Sequence, residues 1–218
     1  MYYDLIIMWF LIVSMWFSDI KTQYLMKNII LASSSVHRKK LLKQLKIKFK
    51  AISPDIDESR KKNEPFNAFV KRLSIEKAKK IAKNQKNALV IGSDEIAVVN
   101  NRILGKPNNY INAKKQLKYI SNKIVTFKTG LCVIDTETNK RLATIINYTV
   151  HMKKFSTSQI ENYIRREKML NCAASIRIEG LAISLVKKMN GADPSSIIGL
   201  PLIKLTEYLK RFGYDVLG

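Results

Sequence analysis

Histidine and cysteine are almost missing from this chain, with two of each in 218 residues. The cysteines, Cys132 and Cys172, stand far apart and form no CxxC pair, and the histidines are His37 and His151. Neither a zinc centre nor a disulfide framework is expected from so few ligands, and the cysteines read as small buried side chains in a reducing compartment. The chain also lacks a GxxxxGK[ST] phosphate loop, a helix-turn-helix, zinc-finger or RNP pattern, an internal repeat and a low-complexity linker. Acidic residues are scarce: 17 stand against 39 Lys and Arg, for a formal net charge of +22. An excess of one sign prompts a nucleic-acid or acidic-membrane reading. Here the basic residues are mostly Lys, spread along the whole chain beside abundant Ile and Asn. That is the composition of an AT-biased coding sequence filling solvated positions, so neither nucleic acid nor membrane is the expected partner.

One apolar run stands apart from the rest. LIIMWFLIVSMWF, Leu5 to Phe17, is shorter than the roughly 20 residues a membrane span needs. Asp4 takes the place of a basic leader, and no A-x-A-like cleavage site follows. Met26 then opens MKNIILASSS, which reads as a natural start to a buried first strand. Residues 1–25 are therefore expected to be an extension outside the fold, arising from a mis-assigned start codon, with a weak membrane anchor as the alternative. Residues 26–218 are expected to form one domain, long enough to bury a proper core.

Along that domain the periodicity changes repeatedly. Asn28 to Ala32 reads as a strand running into Ser33-Ser34-Ser35, and a helix follows to about Leu45. KIKFKAISPDIDE alternates as a strand and ends in an acidic loop, Asp55 to Glu58. A helix starts at Pro65 and runs to about Lys83. ALVIGSDEIAVV reads as an apolar strand interrupted by Gly-Ser-Asp-Glu, and Asn100-Asn101 as a turn. Ala113 to Ile120 is helical, and the segments around TETNK form a long hairpin. Ser156 and Gln159 make a capping-box pattern for a helix to about Lys168. Pro201 precedes a final helix that stops near Gly213. The class is α/β with a mixed sheet.

Five places carry chemistry. In LASSSVHR the strand-to-helix junction leaves unpaired N–H groups, with Ser hydroxyls and the forked donor Arg38 beside them; this suits a phosphate, though ordinary helix capping accounts for the stretch alone. Lys77 falls near the middle of the stripe Phe66, Phe69, Val70, Leu73, Ile81, where a cation is costly unless an anion meets it. Lys80 lies nearer the edge, and a snorkelling Lys is the plainer reading. Asp94 in GSDE is placed at a strand end, suited to binding Mg²⁺ or deprotonating a water, or merely to capping a turn. Lys106 in LGKP is a fixed cation beside a rigid Pro. In IRIEG, Arg177 and Glu179 alternate with Ile176 and Ile178, which places both on one face of a strand. Cations for a polyphosphate and carboxylates for a metal or water favour nucleotide hydrolysis over nucleic-acid binding.

These motifs resemble the Maf family of nucleotide pyrophosphatases over nearly everything from Met26 onward. LASSSVHR resembles the signature LASxSPxR, and SPDIDE, RLSIEKA, IGSDE, LGKP and VTFKTGL follow in the family's order. CAASIRIEGLA and IIGLPL resemble the branch that acts on 7-methyl-GTP, whose pattern is roughly CAGSFKSEGLG. The dTTP/UTP branch carries a GAYGIQG-like stretch, which this chain lacks. The resemblance implies an ITPase-like α/β fold: a long mixed sheet flanked by helices, two lobes and a central cleft, commonly in a homodimer. It implies hydrolysis between the α- and β-phosphates with Asp94 as proton acceptor. Ser33, Ser35, Arg38, Lys77 and Lys106 match the positions around the phosphates, and Glu58 an acidic position linked to a divalent cation, Mg²⁺ or Mn²⁺. Arg38, Glu95 and Glu179 match the positions that choose the substrate. Departures from the pattern are Val36 for Pro, His37 for an aromatic or Arg, Ala174 and Ala182 for Gly, Arg177 for Lys, and Glu95 for Gln. An ionised Glu95 accepts hydrogen bonds but cannot donate them as an amide does, while it would attract a cationic 7-methylguanine. The competing readings are a Maf-like enzyme for dTTP/UTP or other modified nucleotides, and a basic nucleic-acid-binding protein.

Overall fold

The computed structural model describes residues 27–218; the extension or anchor read in residues 1–25 lies outside them. The first strand, β1 (Asn28–Ala32), is buried on both faces from Ile29 to Ala32. A strand apolar on both sides belongs inside a sheet, and β1 pairs in parallel with β2 (Phe49–Ile52) on one edge and β3 (Ala88–Val99) on the other. Beyond β3 the sheet turns antiparallel through β5 (Ile124–Asp135), β6 (Arg141–Met152) and β7 (Val186–Gly191). The short β4 (Arg102–Leu104) pairs with the far end of β3. The order is β2-β1-β3-β5-β6-β7, a seven-stranded mixed sheet. Both edge strands carry exposed lysines, Lys50 on β2 and Lys187 and Lys188 on β7, which blunts edge-to-edge pairing.

Two lobes share this sheet. One core gathers Leu31, Leu89 and Ile91 against helices α1 (Val36–Gln44) and α5 (Leu202–Arg211). The other gathers Val99, Val125 and Phe127 against α3 (Tyr110–Ile120) and α4 (Thr157–Arg166). Across the opposite face of β3 and β5 lies α2 (Phe66–Ala82), which brings Phe69, Val70, Leu73, Ala78 and Ile81 onto the sheet. The helix comes so close because the sheet offers glycine beneath it. A Cβ on Gly92 would stand 2.1 Å from the Ser74 carbonyl oxygen, and one on Gly130 would stand 2.2 Å from that of Val70.

The hairpin across residues 136–140 forms as expected, and so does the capping box of Ser156 and Gln159. Two expectations are corrected. The GSDE stretch does not interrupt its strand, because β3 runs unbroken for 12 residues and β5 pairs with it throughout that stretch. IRIEG is not a strand: it runs from a 3₁₀ turn (Ala173–Ser175) into a turn at residues 178–180. Its alternation of apolar and charged residues reflects Ile176 packing into the second core, not pairing in the sheet. The strand β7 was not read from the sequence, because its VKKMNG carries too few apolar residues to announce itself. No helix among the described residues is long and apolar enough to cross a membrane.

Substituting Gly92→Ala is expected to destabilise the protein by about 3 kcal/mol, because the new methyl meets helix backbone that cannot step aside. Gly105→Ala, where no atom lies within 4 Å of the new methyl, is expected to stay within about 0.5 kcal/mol of the parent. Urea denaturation of the two variants measures the contrast; equal stabilities would show that α2 does not rest on the sheet in this way.

Candidate active site

The cleft opens where β3 loses its neighbour on one edge. Pairing with β1 stops at Ile91, and pairing with β4 begins only at Ala97. β1 is parallel to β3 and β4 antiparallel to it, so both strands point into this gap from opposite ends. Their following loops therefore converge on it: Ser33-Ser34-Ser35 from β1, Gly105-Lys106 from β4. A cleft of about 760 Å³ lies there, lined by both loops, by Arg38, Glu58, Lys77, Asp94 and Glu95, and by Glu179. That volume falls in the range of about 300–1,000 Å³ usual for small-molecule sites. Every site residue expected from the sequence meets in this one place.

Strand parity then sorts the carboxylates. Asp94 shares its face of β3 with Val90 and Gly92, the face covered by α2. There Lys77 Nζ lies 2.5 Å from Asp94 Oδ1 and 2.8 Å from Glu58 Oε1. Lys77 is 4% exposed and Asp94 7%, whereas Lys80 is exposed. The cation in the apolar stripe is thus met by an anion, which a buried charge requires. Glu95, one residue on, faces the other way, toward Arg38 and Gly199.

On that second face the N-terminus of α1 is built from side-chain caps. Ser35 Oγ accepts from the Arg38 N–H at 3.4 Å, and Ser33 Oγ accepts from the Ser35 N–H at 3.1 Å. The Arg38 guanidinium donates through Nε to the Gly199 carbonyl (2.8 Å) and through a terminal nitrogen to Ser33 Oγ (3.3 Å). Gly199 sits at φ 107° and ends a 3₁₀ turn (Pro194–Ile198). Buried Asp193 fixes that turn by accepting from the N–H groups of Ser195 and Ile203. Ser93 Oγ lies 2.8 Å from both the Gly199 and Gly130 carbonyls. Ser93, Asp193 and the Gly199 carbonyl escaped sequence reading. The motif IIGLPL was the only signal for the last of these, and it does not reveal a backbone oxygen.

Lys106 extends into the cleft from an exposed loop that is held by the Ala174 N–H donating to the Gly105 carbonyl. Ala174 pays for that position with φ 53°, a left-handed conformation that L residues avoid by about 1–2 kcal/mol. The glycine missing from the family pattern is thus one the backbone does call for, while Ala182 shows no positive φ. Glu179 Oε1 lies 3.1 Å from His37 Nδ1 and 3.5 Å from Arg177 Nε. Cys172 also lines the cleft, but burial pushes its thiol up to about 12, so it is no nucleophile near neutral pH.

Burial pushes the Glu95 carboxyl up to about 8; Arg38 and Lys106 oppose the shift, and Asp94 and Glu179 add to it. In its protonated form this carboxyl has one O–H to donate as well as an oxygen that accepts.

A metal has to fit what stands here. No group of three or more His, Cys, Asp or Glu comes together among the described residues. Glu58, exposed and turned to the cleft beside Lys77, offers one hard oxygen ligand. That suits Mg²⁺ or Mn²⁺ held by one carboxylate together with phosphate oxygens of a substrate.

The family model described as Maf-like protein matches residues 28–212, and the chain belongs to that family. It is 47% identical over 193 residues to a 7-methyl-GTP pyrophosphatase of Colwellia psychrerythraea, covering 88% of this chain and 96% of that one. It is 48% identical over 190 residues to one of Pseudoalteromonas translucida, covering 87% and 94%. The Ham1 protein of Staphylococcus aureus overlaps 58% of this chain and 72% of its own, at 18% identity and a TM-score of 0.41.

Glu95 sets a pH dependence that Glu95→Gln removes. Between its ordinary value of 4.5 and about 8, the folded carboxyl keeps a proton that the unfolded one has lost. Stability contributed at Glu95 therefore falls as pH rises through that window and is constant above it. Relative to the parent, Glu95→Gln is expected to gain stability steadily from pH 5 to 8 and then level off, as read by denaturant titrations at each pH. A difference independent of pH would show that Glu95 is ionised in the fold at all of them.

Proposed function

We propose that this chain hydrolyses the α–β phosphoanhydride of 7-methyl-GTP, giving 7-methyl-GMP and pyrophosphate. The observation that carries the reading is the buried Lys77–Asp94 pair opening on a cleft with Arg38 and Lys106 on its walls. Relatives of that name at 47% and 48% identity support the choice of nucleotide.

Water attacks the α-phosphorus and the bond to the bridging oxygen breaks, so the water oxygen stays on the monophosphate and pyrophosphate leaves. Lys77 holds Asp94 by Oδ1, leaving Oδ2 to orient the water and take its proton. Ser33, Ser35, Arg38 and Lys106 bind the phosphates and neutralise charge as it moves to the leaving oxygens. A divalent cation on Glu58 supplies further neutralisation of the polyphosphate when bound. Arg38, Glu95 and Glu179 choose the base. A 7-methylated guanine carries a positive charge, which the Glu179 carboxylate complements. The reading carries with it a house-cleaning role against modified nucleotides, a cytoplasmic setting, a homodimer, and a single domain over residues 26–218.

Pyrophosphate release with Mg²⁺ or Mn²⁺ is measured on 7-methyl-GTP, GTP, dTTP, UTP and CTP. Preference for 7-methyl-GTP is expected, and Asp94→Asn is expected to lower turnover about 10²–10⁴-fold while nucleotide still binds. Preference for a pyrimidine nucleotide would move the substrate. Near-parental turnover by Asp94→Asn would remove Asp94 as the base. Salt-sensitive nucleic-acid binding with no pyrophosphate release would replace the enzyme reading altogether.

A further inference from the structure

Glu179 is held from both sides of the cleft. On one side the buried Glu167 anchors its turn. Glu167 accepts from the Leu181 N–H at 2.7 Å and from the Lys168 N–H at 2.9 Å, and it pairs with Arg177 at 2.7 Å. Gly180 is what lets this carboxylate in, since a Cβ there would stand 2.1 Å from Glu167 Oε2. Arg177 Nε is then left buried without a hydrogen bond, 3.5 Å from Glu179 Oε1. On the other side stands His37, on the first turn of α1 and next to Arg38. Its Nδ1 lies 3.1 Å from the same Oε1. A carboxylate only accepts, so this contact puts the ring proton on Nδ1. Glu179 Oε2 has no hydrogen bond among the described residues, and Glu179 lines the cleft. One oxygen is therefore tied and the other is left for a ligand.

We propose that His37 is a positioning residue for substrate choice: by holding Glu179 Oε1 it aims Oε2 at the base of the bound nucleotide. The contact joins residues 142 apart in the chain. It couples the helix that caps the phosphate loop to the turn that reads the base. Without it Glu179 keeps only the longer contact to Arg177 and swings toward solvent, since its side chain is already 25% exposed. The inference rests on the proposed role of Glu179 in choosing the base.

The experiment compares kcat and KM for 7-methyl-GTP and GTP in the full chain, in His37→Phe, which keeps a ring but no donor, and in His37→Asn, which keeps a donor near the Nδ1 position. Phe is expected to lower the 7-methyl-GTP to GTP ratio of kcat/KM about fivefold to tenfold, chiefly through KM, and Asn to restore most of it. In a Glu179→Gln background His37→Phe is expected to change the ratio by less than twofold, because His37 acts through the carboxylate. An unchanged ratio in His37→Phe overturns the proposal, as does an equal loss on both nucleotides or the same loss in the Glu179→Gln background. If the parent prefers another nucleotide, the substrate reading falls by itself. His37 is then judged by the same variants on the preference the parent shows.

Discussion

Lys77 reaches Asp94 from a helix whose backbone lies directly on the sheet, and much of the structure is arranged so that it can. A lysine centred on an apolar helix face is tolerable only if its ammonium meets an anion. The anion sits on a strand face that is otherwise apolar, so each of two local rule-breakers is the other's remedy. Gly92 and Gly130 remove the side chains that would hold the helix off. Glu58, from a loop, completes the environment of the ammonium on the solvent side. Breaking such a pair by removing one partner leaves a buried charge, which is far worse than never having had the pair. The arrangement is therefore a constraint on the fold as well as a site for chemistry.

The same strand divides the labour. Because side chains alternate along β3, Asp94 faces the helix that carries the cation, while Glu95 faces Arg38, Gly199 and the turn that carries Glu179. The carboxyl proposed to activate water and one proposed to read the base are thus separated by a single peptide unit, yet both reach one cleft because the sheet edge is open between β1 and β4. The two loops entering that gap bring serine hydroxyls from one end and Lys106 from the other. A polyphosphate lying across the gap would meet both.

Much of this was legible in the sequence. The stripe Phe69, Val70, Leu73, Ile81 identified both α2 and the anomaly of Lys77 within it. The hairpin, the capping box at Ser156 and the serine cap of α1 were readable because local spacing dictates them. The order of motifs pointed to candidate residues from Ser33 to Glu179, and all of them line one cleft. What was not legible depends on distant contacts. GSDE looked like a break because polar residues inside a strand need partners that only the fold supplies: Lys77 for Asp94, and the Gly130 and Gly199 carbonyls for Ser93. IRIEG copied a strand's alternation while serving a turn tied to Glu167. The upward pull on the Glu95 carboxyl comes from its surroundings in the fold, which no spacing reveals.

A thermodynamic cycle on stability measures whether Lys77 and Asp94 act as one buried pair. Equilibrium denaturation of Lys77→Met, Asp94→Asn and the double variant gives the coupling between the two side chains. Each single change is expected to lose about 2 kcal/mol or more, and the double variant to lose at least about 1 kcal/mol less than the sum. Losses that add to within about 0.5 kcal/mol would show that Lys77 and Asp94 are independent and that the pair does not organise this part of the fold.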